Sequence, residues 1–418
     1  MLSYPTLPSY VRVLNRVDRR LRAFGLGLFP FEPAALLEIA ARQAKLHDYA
    51  EDGTFHTALE ALCRSAEEDA RLTLVGRRVI RQFMIRALVN RLRRIHAQKR
   101  EPEIADTVLV PPIIVIGLPR SGTTFLHHVL TLDNTARPLL FWELMEPIPG
   151  HGPDRRRAEL QSTLAGMKSM VADLDAKHHF DADNPEECML LLDSTLVSLS
   201  YWTFAPLYGY AKWFRQQDQR APYRVYRWLL QLFQQKSPGR RLTLKAPAHT
   251  GALAALLEAI PDARIVQTHR DPADVVPSLN SLIFSLHALV TEEVDVRRMA
   301  AENMAHLEHM IERSEAARAR APCSVLDVQY DEMFRDPVAC VKRIYDHFDI
   351  ELNSTLAERI RSFAAQPKST GTTFTRPKIS APAKQPSVSA SPAITSVTWP
   401  KTPAARALSR HTGEDTGE

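Results

Sequence analysis

Pro111–Leu130, PPIIVIGLPRSGTTFLHHVL, is the stretch of sequence that decides the fold. It opens with four β-branched residues in a row, Ile113–Ile116, and such a short apolar run predicts a buried parallel strand better than a helix. A tight loop follows from Gly117 to Gly122, and the apolar residues beyond it recur at helical spacing. A strand, a glycine-rich loop and a helix in this order direct backbone N–H groups and the positive helix end to one point, which favours binding of a phosphate or sulfate ester.

The loop has the glycine spacing of a nucleotide-hydrolysing P-loop but lacks its lysine. Four residues separate Gly117 from Gly122, and Thr123 and Thr124 then stand where a P-loop has lysine followed by serine or threonine. The cation lies inside the loop instead, as Arg120. Thr124 stands at the position of the magnesium-binding hydroxyl, so a P-loop small-molecule kinase is the alternative function. The missing lysine argues against a magnesium–triphosphate site.

Residues 117–124, Gly-Leu-Pro-Arg-Ser-Gly-Thr-Thr, resemble the 5′-phosphosulfate loop of sulfotransferases that use 3′-phosphoadenosine 5′-phosphosulfate (PAPS). The arginine form of the loop is similar to that of a bacterial branch of this family and of the tyrosylprotein sulfotransferases. The resemblance covers roughly residues 110–350. It implies that PAPS is the cofactor and that no metal is required. The loop residues that it assigns to the cofactor are Gly117, Arg120, Ser121, Gly122, Thr123 and Thr124.

Two further strand–helix units follow downstream. Arg241–Lys245 predicts a strand that ends at Lys245, and Arg264–Thr268 predicts another strand that leads into the sequence His-Arg-Asp-Pro. The alternation of strands and helices predicts an α/β fold, a P-loop-like parallel β-sheet flanked by helices, with a helical N-terminal region. In such folds the residues that bind ligands lie at the carboxyl ends of the strands.

Arg270 and Ser278 are the residues predicted to bind the far end of the cofactor. Arg270 follows the second of these strands, and Ser278 lies eight residues later in the next helix. A guanidinium fork together with a hydroxyl suits a terminal phosphate. In the sulfotransferases that this chain resembles, the same spacing holds the 3′-phosphate of PAPS. By the same resemblance, Lys245 contacts the transferring sulfuryl group and Tyr330 approaches the adenine ring.

Glu143 is the predicted catalytic base. It lies 23 residues after Arg120 in an apolar, aromatic stretch, where we expect a carboxylate to accept a proton near neutral pH. The tyrosylprotein branch has its glutamate base at a similar distance after the loop, which implies the same role here. Other sulfotransferases use a histidine, so His178 and His179 are the alternatives.

A second group of acids lies in Asp181–Cys188 and has no metal-ligand spacing. The Asp, Asn and Pro residues of this stretch predict a loop that leads into a helix. Glu186 and Glu187 would then lie in the first turn of that helix, where carboxylates are favoured by the helix dipole. We therefore expect a capping role for these acids.

The composition is that of a globular protein with a mild excess of positive charge. The 418 residues carry 53 basic and 48 acidic side chains, and the formal net charge of +5 is too small to indicate nucleic acid as a partner. The four cysteines form no C-x-x-C pair, so neither a zinc site nor a disulfide framework is predicted. The chain has no apolar run long enough for a membrane span and no signal-peptide pattern at its start, so we expect a cytoplasmic protein.

Three regions are predicted along the chain: a helical N-terminal region at 1–105, an α/β sulfotransferase domain at 106–365, and a disordered Pro/Ser/Thr-rich tail at 366–418. The helical region has no acid in Arg71–Arg100, and its basic face is either solvated or in contact with anionic lipid or an acidic substrate. The tail lacks the Arg-Lys-Gly segment with which cytosolic sulfotransferases help to hold the 3′-phosphate. An inactive nucleotide-binding member of the family is therefore a second alternative.

Taken together, these features predict a sulfotransferase that moves a sulfuryl group from PAPS to a hydroxyl of a small-molecule, lipid or carbohydrate acceptor. Arg120, Lys245 and the loop N–H groups would hold the charge that develops on the sulfuryl group. Glu143 would remove the proton of the hydroxyl. The sequence leaves open which acceptor is used and which oligomeric state the protein adopts.

Overall fold

A five-stranded parallel sheet forms the centre of the fold. Its strands are β1 Ile113–Gly117, β2 Ala136–Arg137, β3 Arg241–Lys245, β4 Arg264–His269 and β5 Val325–Gln329. They lie in the order β2-β3-β1-β4-β5. The computed structural model describes residues 9–24, 26–50, 53–170, 181–320 and 325–366. Within these ranges the predicted α/β fold with a parallel sheet is confirmed.

The central strand β1 is buried along its whole length, as its apolar sequence predicts. Val115 stands opposite Lys245 of β3, and Gly117 stands opposite Thr268 of β4. Parallel strands in this register end at the same edge of the sheet. The residues that follow β1, β3 and β4 are therefore brought to one place.

Four helices precede the sheet: α1 Ser9–Ala23, α2 Pro33–Ala44, α3 Phe55–Glu68 and α4 Leu74–Arg100. Helix α4 has 27 residues, and the side chain of Thr73 caps its first turn by accepting a hydrogen bond from the N–H of Gly76 at 2.9 Å. Apolar residues of α2, α3 and α4 share one hydrophobic cluster with Leu196, Tyr201 and Tyr210. This cluster packs the N-terminal helices against the middle of the chain.

The basic face predicted on α4 lies largely inside the protein. Arg77, Arg91 and Arg94 are 2%, 1% and 5% exposed. Arg91 donates hydrogen bonds to the carbonyl oxygens of Tyr49 and Ala50 at 2.7 and 2.8 Å, and such bonds make the burial of a guanidinium tolerable. The prediction of a solvated face is therefore wrong for these three arginines. Contact with an anionic surface stays a prediction for the exposed basic residues of the helix, which are Arg78, Lys99 and Arg100.

The remaining helices cover both faces of the sheet. Alternate residues of β1 show this, because Ile114 and Ile116 belong to one hydrophobic cluster while Ile113 and Val115 belong to another. These helices are α5 Thr123–Leu130, α6 Phe141–Met145, α7 Arg156–Met170, α8 Ser200–Phe204, α9 Tyr208–Arg215, α10 Arg220–Gln235, α11 Leu253–Ala259, α12 Pro272–His287, α13 Val296–Arg320, α14 Tyr330–Arg335, α15 Pro337–His347 and α16 Ser354–Ala365. Short 3-10 helices span Pro102–Asp106, Cys188–Thr195 and Pro247–Ala252.

Some predictions fall outside the described residues. His178 and His179 lie there, as does the predicted tail from residue 367 onward. The division of the chain at residues 105/106 and 365/366 stays a prediction. No helix in the described ranges combines the length and the hydropathy that a membrane span needs.

Candidate functional site

The loop between β1 and α5 depends on glycine at both of its ends. Gly117 has a φ of 134°, and a Cβ atom there would lie 2.4 Å from Oγ1 of Thr268 in β4. Gly122 has a φ of 91°, and a Cβ atom there would lie 2.7 Å from Cε of Met333 and 3.1 Å from the ring of Tyr330. Glycine fits both positions because it has no Cβ atom and adopts positive φ without strain. The loop therefore packs closely against β4 and α14.

Arg120 lies within the loop in a left-handed conformation, with a φ of 70°. A non-glycine residue held in this region is strained by roughly 1–3 kcal/mol. Two contacts hold it there: Nε of Arg120 donates to Oγ of Ser278 at 2.9 Å, and the carbonyl oxygen of Arg120 accepts a hydrogen bond from Nη1 of Arg270 at 3.2 Å. The structure thus brings three of the predicted site residues into direct contact.

Ser121 and the two threonines contribute to the loop in different ways. Ser121 is fully buried, and its Oγ donates to the carbonyl oxygen of Leu118 at 2.6 Å, so its side chain shapes the loop from inside. Thr123 and Thr124 begin α5, behind Gly122, which offers no capping side chain. The first N–H groups of a helix have no carbonyl partner within it. These N–H groups and the partly buried hydroxyl of Thr124 are suited to bind an anion.

Arg270 follows β4 and lies over Tyr330 of α14. Its Cζ is 4.2 Å from the centroid of the ring, which is a cation–π contact. Within the described part of the chain, the buried Nε of Arg270 has no hydrogen-bond partner, although a carboxylate oxygen of Asp274 lies 3.5 Å away. A buried guanidinium nitrogen without a hydrogen bond is a donor that an anion can satisfy.

Arg120 and Arg270 lie close enough for their charges to interact. Burial and the charge of Arg270 lower the pKa of Arg120, against the opposing influence of Tyr330 and Glu187. Two guanidinium groups held together in this way attract a phosphate or sulfate group, because an anion between them relieves their repulsion. Both the backbone and the side chains of the loop are therefore suited to bind an anion.

Lys245 ends β3 and is held by a carboxylate. It is 2% exposed, and its Nζ donates to Oε1 of Glu187 at 2.9 Å. Burial alone would lower the pKa of Lys245, but the carboxylates of Glu187 and Glu186 outweigh burial, and the pKa is raised. Lys245 is therefore an ammonium group. The predicted capping role of Glu187 is wrong, since its side chain makes no cap on the 3-10 helix that follows.

A buried polar network supports the end of β3. Sγ of Cys188 donates to the carbonyl oxygen of Lys245 at 3.3 Å, and the hydroxyl of Tyr226 donates to the same sulfur at 3.2 Å. Nε2 of His249 lies 3.2 Å from this sulfur, and Nδ1 of His249 lies 2.5 Å from the hydroxyl of Tyr223. Burial lowers the pKa of His249 to about 3 and raises the pKa of Cys188 to about 12. Both groups are neutral, so the network fixes the backbone at Lys245 without adding charge.

Glu143 lies in α6, and its carboxylate is bound to Arg137. The two carboxylate oxygens accept hydrogen bonds from Arg137 at 2.5 and 3.0 Å, and Oε2 also accepts one from the N–H of Leu140 at 3.0 Å. These bonds cap the first turn of α6. No hydrogen bond or ion pair within the described residues joins Glu143 to Arg120 or Lys245. The assignment of the base to Glu143 stays a prediction.

Glu187 is the residue of this site that the sequence reasoning missed. It contacts Lys245, which lies 58 positions further along the chain. The adjacent Pro-Glu-Glu sequence is the signal that was present, but it also fits a helix cap. No group of three or more His, Cys, Asp or Glu side chains within the described ranges is arranged to hold a metal ion.

Comparison with known sequences finds one family. The sulfotransferase family profile matches residues 111–354, which is more than half of the chain. The omega-hydroxy-beta-dihydromenaquinone-9 sulfotransferases Stf3 of Mycobacterium bovis and Mycobacterium tuberculosis are 25% identical to this chain over 272 residues. The matched part is 63% of this chain and 69% of each relative.

Comparison with solved structures agrees. Sulfotransferase STF1 from Mycobacterium tuberculosis superposes with a TM-score of 0.71 and 31% identity, over 79% of this chain and 92% of that chain. Sulfotransferase STF9 from Mycobacterium avium superposes with a TM-score of 0.72 and 29% identity, over 80% of this chain and 88% of that chain. The profile covers the part of the chain that carries the loop and both strand ends, and the chain is a member of the sulfotransferase family.

Proposed function

We propose that this sulfotransferase transfers the sulfuryl group of PAPS to a hydroxyl of a small-molecule or lipid acceptor. The observation that carries the proposal is the contact of Arg120 with Arg270 and Ser278, which joins the loop to the end of β4. The Stf3 relatives are named for an omega-hydroxylated menaquinone, and this supports a lipid acceptor with a hydroxyl group. A carbohydrate acceptor gains no support from these relatives.

The residues around the loop fit both charged ends of PAPS. The N–H groups at the start of α5 and the side chain of Arg120 suit the 5′-phosphosulfate, and Arg270 with Ser278 suits the 3′-phosphate. One observation supports this fit. The buried Nε of Arg270 has no hydrogen-bond partner in the described part of the chain, and a phosphate oxygen can accept a hydrogen bond from it. The place of Tyr330 beside the adenine ring rests on the resemblance, because its side chain is buried and the guanidinium of Arg270 lies 4.2 Å from the centroid of its ring.

In this proposal, the two cations of the site stabilise the charge that develops in the reaction. PAPS supplies the activated sulfuryl group when it is bound. Arg120 and Lys245 hold positive charge beside the loop, and preorganised donors of this kind are typically worth ~3–4 kcal/mol each in the transition state. Lys245 stays protonated despite its burial because Glu187 and Glu186 raise its pKa. Lys245→Ala should therefore lower turnover about 100- to 1,000-fold.

The hydroxyl of the acceptor also needs a base beside the site. The resemblance to the tyrosylprotein branch assigns this role to Glu143, with His178 and His179 as alternatives. Glu143 is buried at 8% exposure and its carboxylate is bound to Arg137.

Calorimetric titration with PAP, the desulfated cofactor, tests the proposal. PAP should bind tightly to the wild type, and Arg270→Ala should lose most of this affinity because the 3′-phosphate loses its guanidinium partner. Arg220→Ala is the matched control, since Arg220 is an exposed arginine paired with Asp218 at the start of α10, and it should bind PAP as the wild type does.

Two other outcomes would point elsewhere. Binding of ATP–magnesium in preference to PAP would favour the kinase alternative, which the comparisons do not support. Binding of PAPS without transfer to any hydroxyl acceptor would favour the inactive family member. The bacterial origin and the cytoplasmic location expected from the sequence stay predictions, although every relative named above is mycobacterial.

A further inference from the structure

Glu187 contacts one of the two cations that the proposed function assigns to sulfuryl transfer, and its charge acts on the other. Its Oε1 accepts the hydrogen bond of Lys245 at 2.9 Å. Its charge also acts on Arg120, where it opposes the lowering of the pKa by burial and by Arg270. The side chain of Glu187 is 25% exposed whereas that of Lys245 is 2% exposed. Glu187 is therefore partly exposed, is in hydrogen-bond contact with Lys245 and acts electrostatically on Arg120.

Within the described residues, charged and titratable groups that act together with Glu187 belong to several elements, among them β3, the loop and α5, where His127 and His128 interact with Lys245 and Glu186. Lys245 belongs to β3 and Arg120 to the loop, and both are cationic. Cys188 follows in the chain and is kept neutral by burial, which raises its pKa to about 12. Glu186 acts on Lys245 as well, and one of its oxygens accepts a hydrogen bond from the N–H of Glu187 at 2.9 Å. Two carboxylates thus act on Lys245, and its ammonium group donates a hydrogen bond to Glu187.

Glu143 has contacts of another kind. Its carboxylate binds Arg137 and caps the N–H of Leu140. Residues 139–142, which this cap anchors, pair with residues 182–186 through backbone hydrogen bonds of 2.9, 3.1 and 3.3 Å. The segment that Glu143 anchors therefore holds the segment that leads directly into Glu187.

We propose that Glu187 is the base that accepts the proton of the acceptor hydroxyl and that Glu143 positions the segment carrying Glu187; this rests on the proposed sulfotransferase function. Lys245 pairs with Glu187 until the oxygens of the sulfuryl group take over its ammonium group. Binding of the sulfuryl donor therefore also frees the carboxylate of Glu187 to meet the acceptor hydroxyl.

The step breaks one O–H bond and one S–O bond and forms one of each. The hydroxyl proton moves to a carboxylate oxygen of Glu187, and the hydroxyl oxygen uses a lone pair to form the new O–S bond. The old S–O bond breaks, and its electron pair stays on the 5′-phosphate oxygen, where Arg120 and Lys245 offset the charge. Glu187 then loses its proton to water on its exposed side.

Binding measurements on Glu187→Gln test whether Lys245 leaves Glu187 for the sulfuryl group. The readout is the ratio of the dissociation constants of PAPS and PAP by calorimetry, because PAP lacks the sulfuryl group. We expect the affinity for PAP to stay within about twofold and PAPS to bind about tenfold more tightly, since no carboxylate competes for Lys245. Glu258→Gln, an exposed change in α11, is the matched control and should alter neither constant. An unchanged ratio in Glu187→Gln overturns the proposal.

Slow release of sulfate from PAPS, with water as acceptor, gives a second readout that needs no identified acceptor. Glu187→Gln should lower this rate about 10²- to 10⁴-fold and remove the acid limb of its pH profile. Glu143→Gln should keep the acid limb and lose stability instead. If Glu143→Gln removes the acid limb while Glu187→Gln keeps it, Glu143 is the base. Failure of the proposed function is distinguishable, because the wild type would then bind neither PAP nor PAPS.

Discussion

Arg120→Gly and Arg120→Ala should separate the backbone strain of the loop from the charge that it carries. Both variants remove the guanidinium group and its hydrogen bond to Ser278, so both should lower turnover about 100- to 1,000-fold. They differ only in the residue that occupies a φ of 70°. We expect the glycine variant to be the more stable of the two by about 1 kcal/mol.

The magnitude follows from the conformation. An alanine at a left-handed φ is disfavoured by roughly 1–2 kcal/mol, because its Cβ atom crowds the following carbonyl oxygen. Glycine avoids this strain but loses about 0.5–1 kcal/mol more conformational entropy on folding. The hydrogen bond to Ser278 is lost in both variants and cancels in the comparison. The difference between the two effects leaves about 1 kcal/mol in favour of glycine.

Equilibrium unfolding in urea measures this difference, with the free energy of unfolding compared at equal slope. Arg78 provides the matched pair, because it is exposed in helix α4, where a helical φ reverses the order. There the glycine variant should be less stable than the alanine variant by about 1 kcal/mol. If Arg120→Gly is no more stable than Arg120→Ala while the Arg78 pair behaves as expected, the loop is not strained at Arg120 and the reasoning is refuted.

Two further predictions concern packing and pH. Gly122→Ala should lower the free energy of unfolding by about 1–3 kcal/mol, because its Cβ atom would meet Met333 and Tyr330 at a φ of 91°. Gly166 lies in an exposed turn of α7 with open space around it, so Gly166→Ala should raise the free energy of unfolding by roughly 0.5–1 kcal/mol in the same urea assay. Equal effects at Gly122 and Gly166 would contradict the packing argument. Acid should also destabilise the protein, because burial lowers the pKa of several histidines far below the usual value of about 6.5. The unfolded chain then binds protons that the folded chain rejects, so stability is complete above about pH 6.5 and falls toward pH 4 by about 1.4 kcal/mol per pH unit for each of them. A urea midpoint that stays constant from pH 7 to pH 5 would argue against neutral buried histidines. The histidines concerned are His127, His249 and His306, with pKa values of about 3, and His287, with a pKa of about 4.

The sheet and the loop could be predicted where the information is local. Ile113–Ile116 forms a buried strand because an apolar β-branched run has few other stable environments. Strand β2 could not be predicted, since it has two residues and exists only because Ala136 pairs with Arg241 of β3. The contact of Arg120 with Ser278 was accessible from the sequence only through the resemblance, which supplied the pairing of two distant motifs.

Buried charges were the features that sequence reasoning placed least well. Arg91 was assigned to a solvated face because arginines are mostly exposed. Its partners are carbonyl oxygens at Tyr49 and Ala50, about 40 residues earlier, and no spacing rule connects them. The sequence predicts a cap for Glu187 because its Pro-Glu-Glu context fits a helix start, whereas its contact with Lys245 depends on how β3 is placed beside the segment before the 3-10 helix. Long-range ion pairs follow from the fold rather than from local patterns.

The hydrogen bonds that tie Arg120 to Ser278 and Arg270 have a consequence for the release of product. Nε of Arg120 and Nη1 of Arg270 already donate hydrogen bonds within the protein, so a phosphate that takes these two donors must displace existing bonds. Each exchange returns only the difference between two hydrogen bonds, which is smaller than the full strength of either. Affinity for the spent nucleotide is thereby moderated, because the departing phosphate is replaced at once by contacts within the protein. We expect a site of this kind to reset itself between turnovers without a large movement of the backbone.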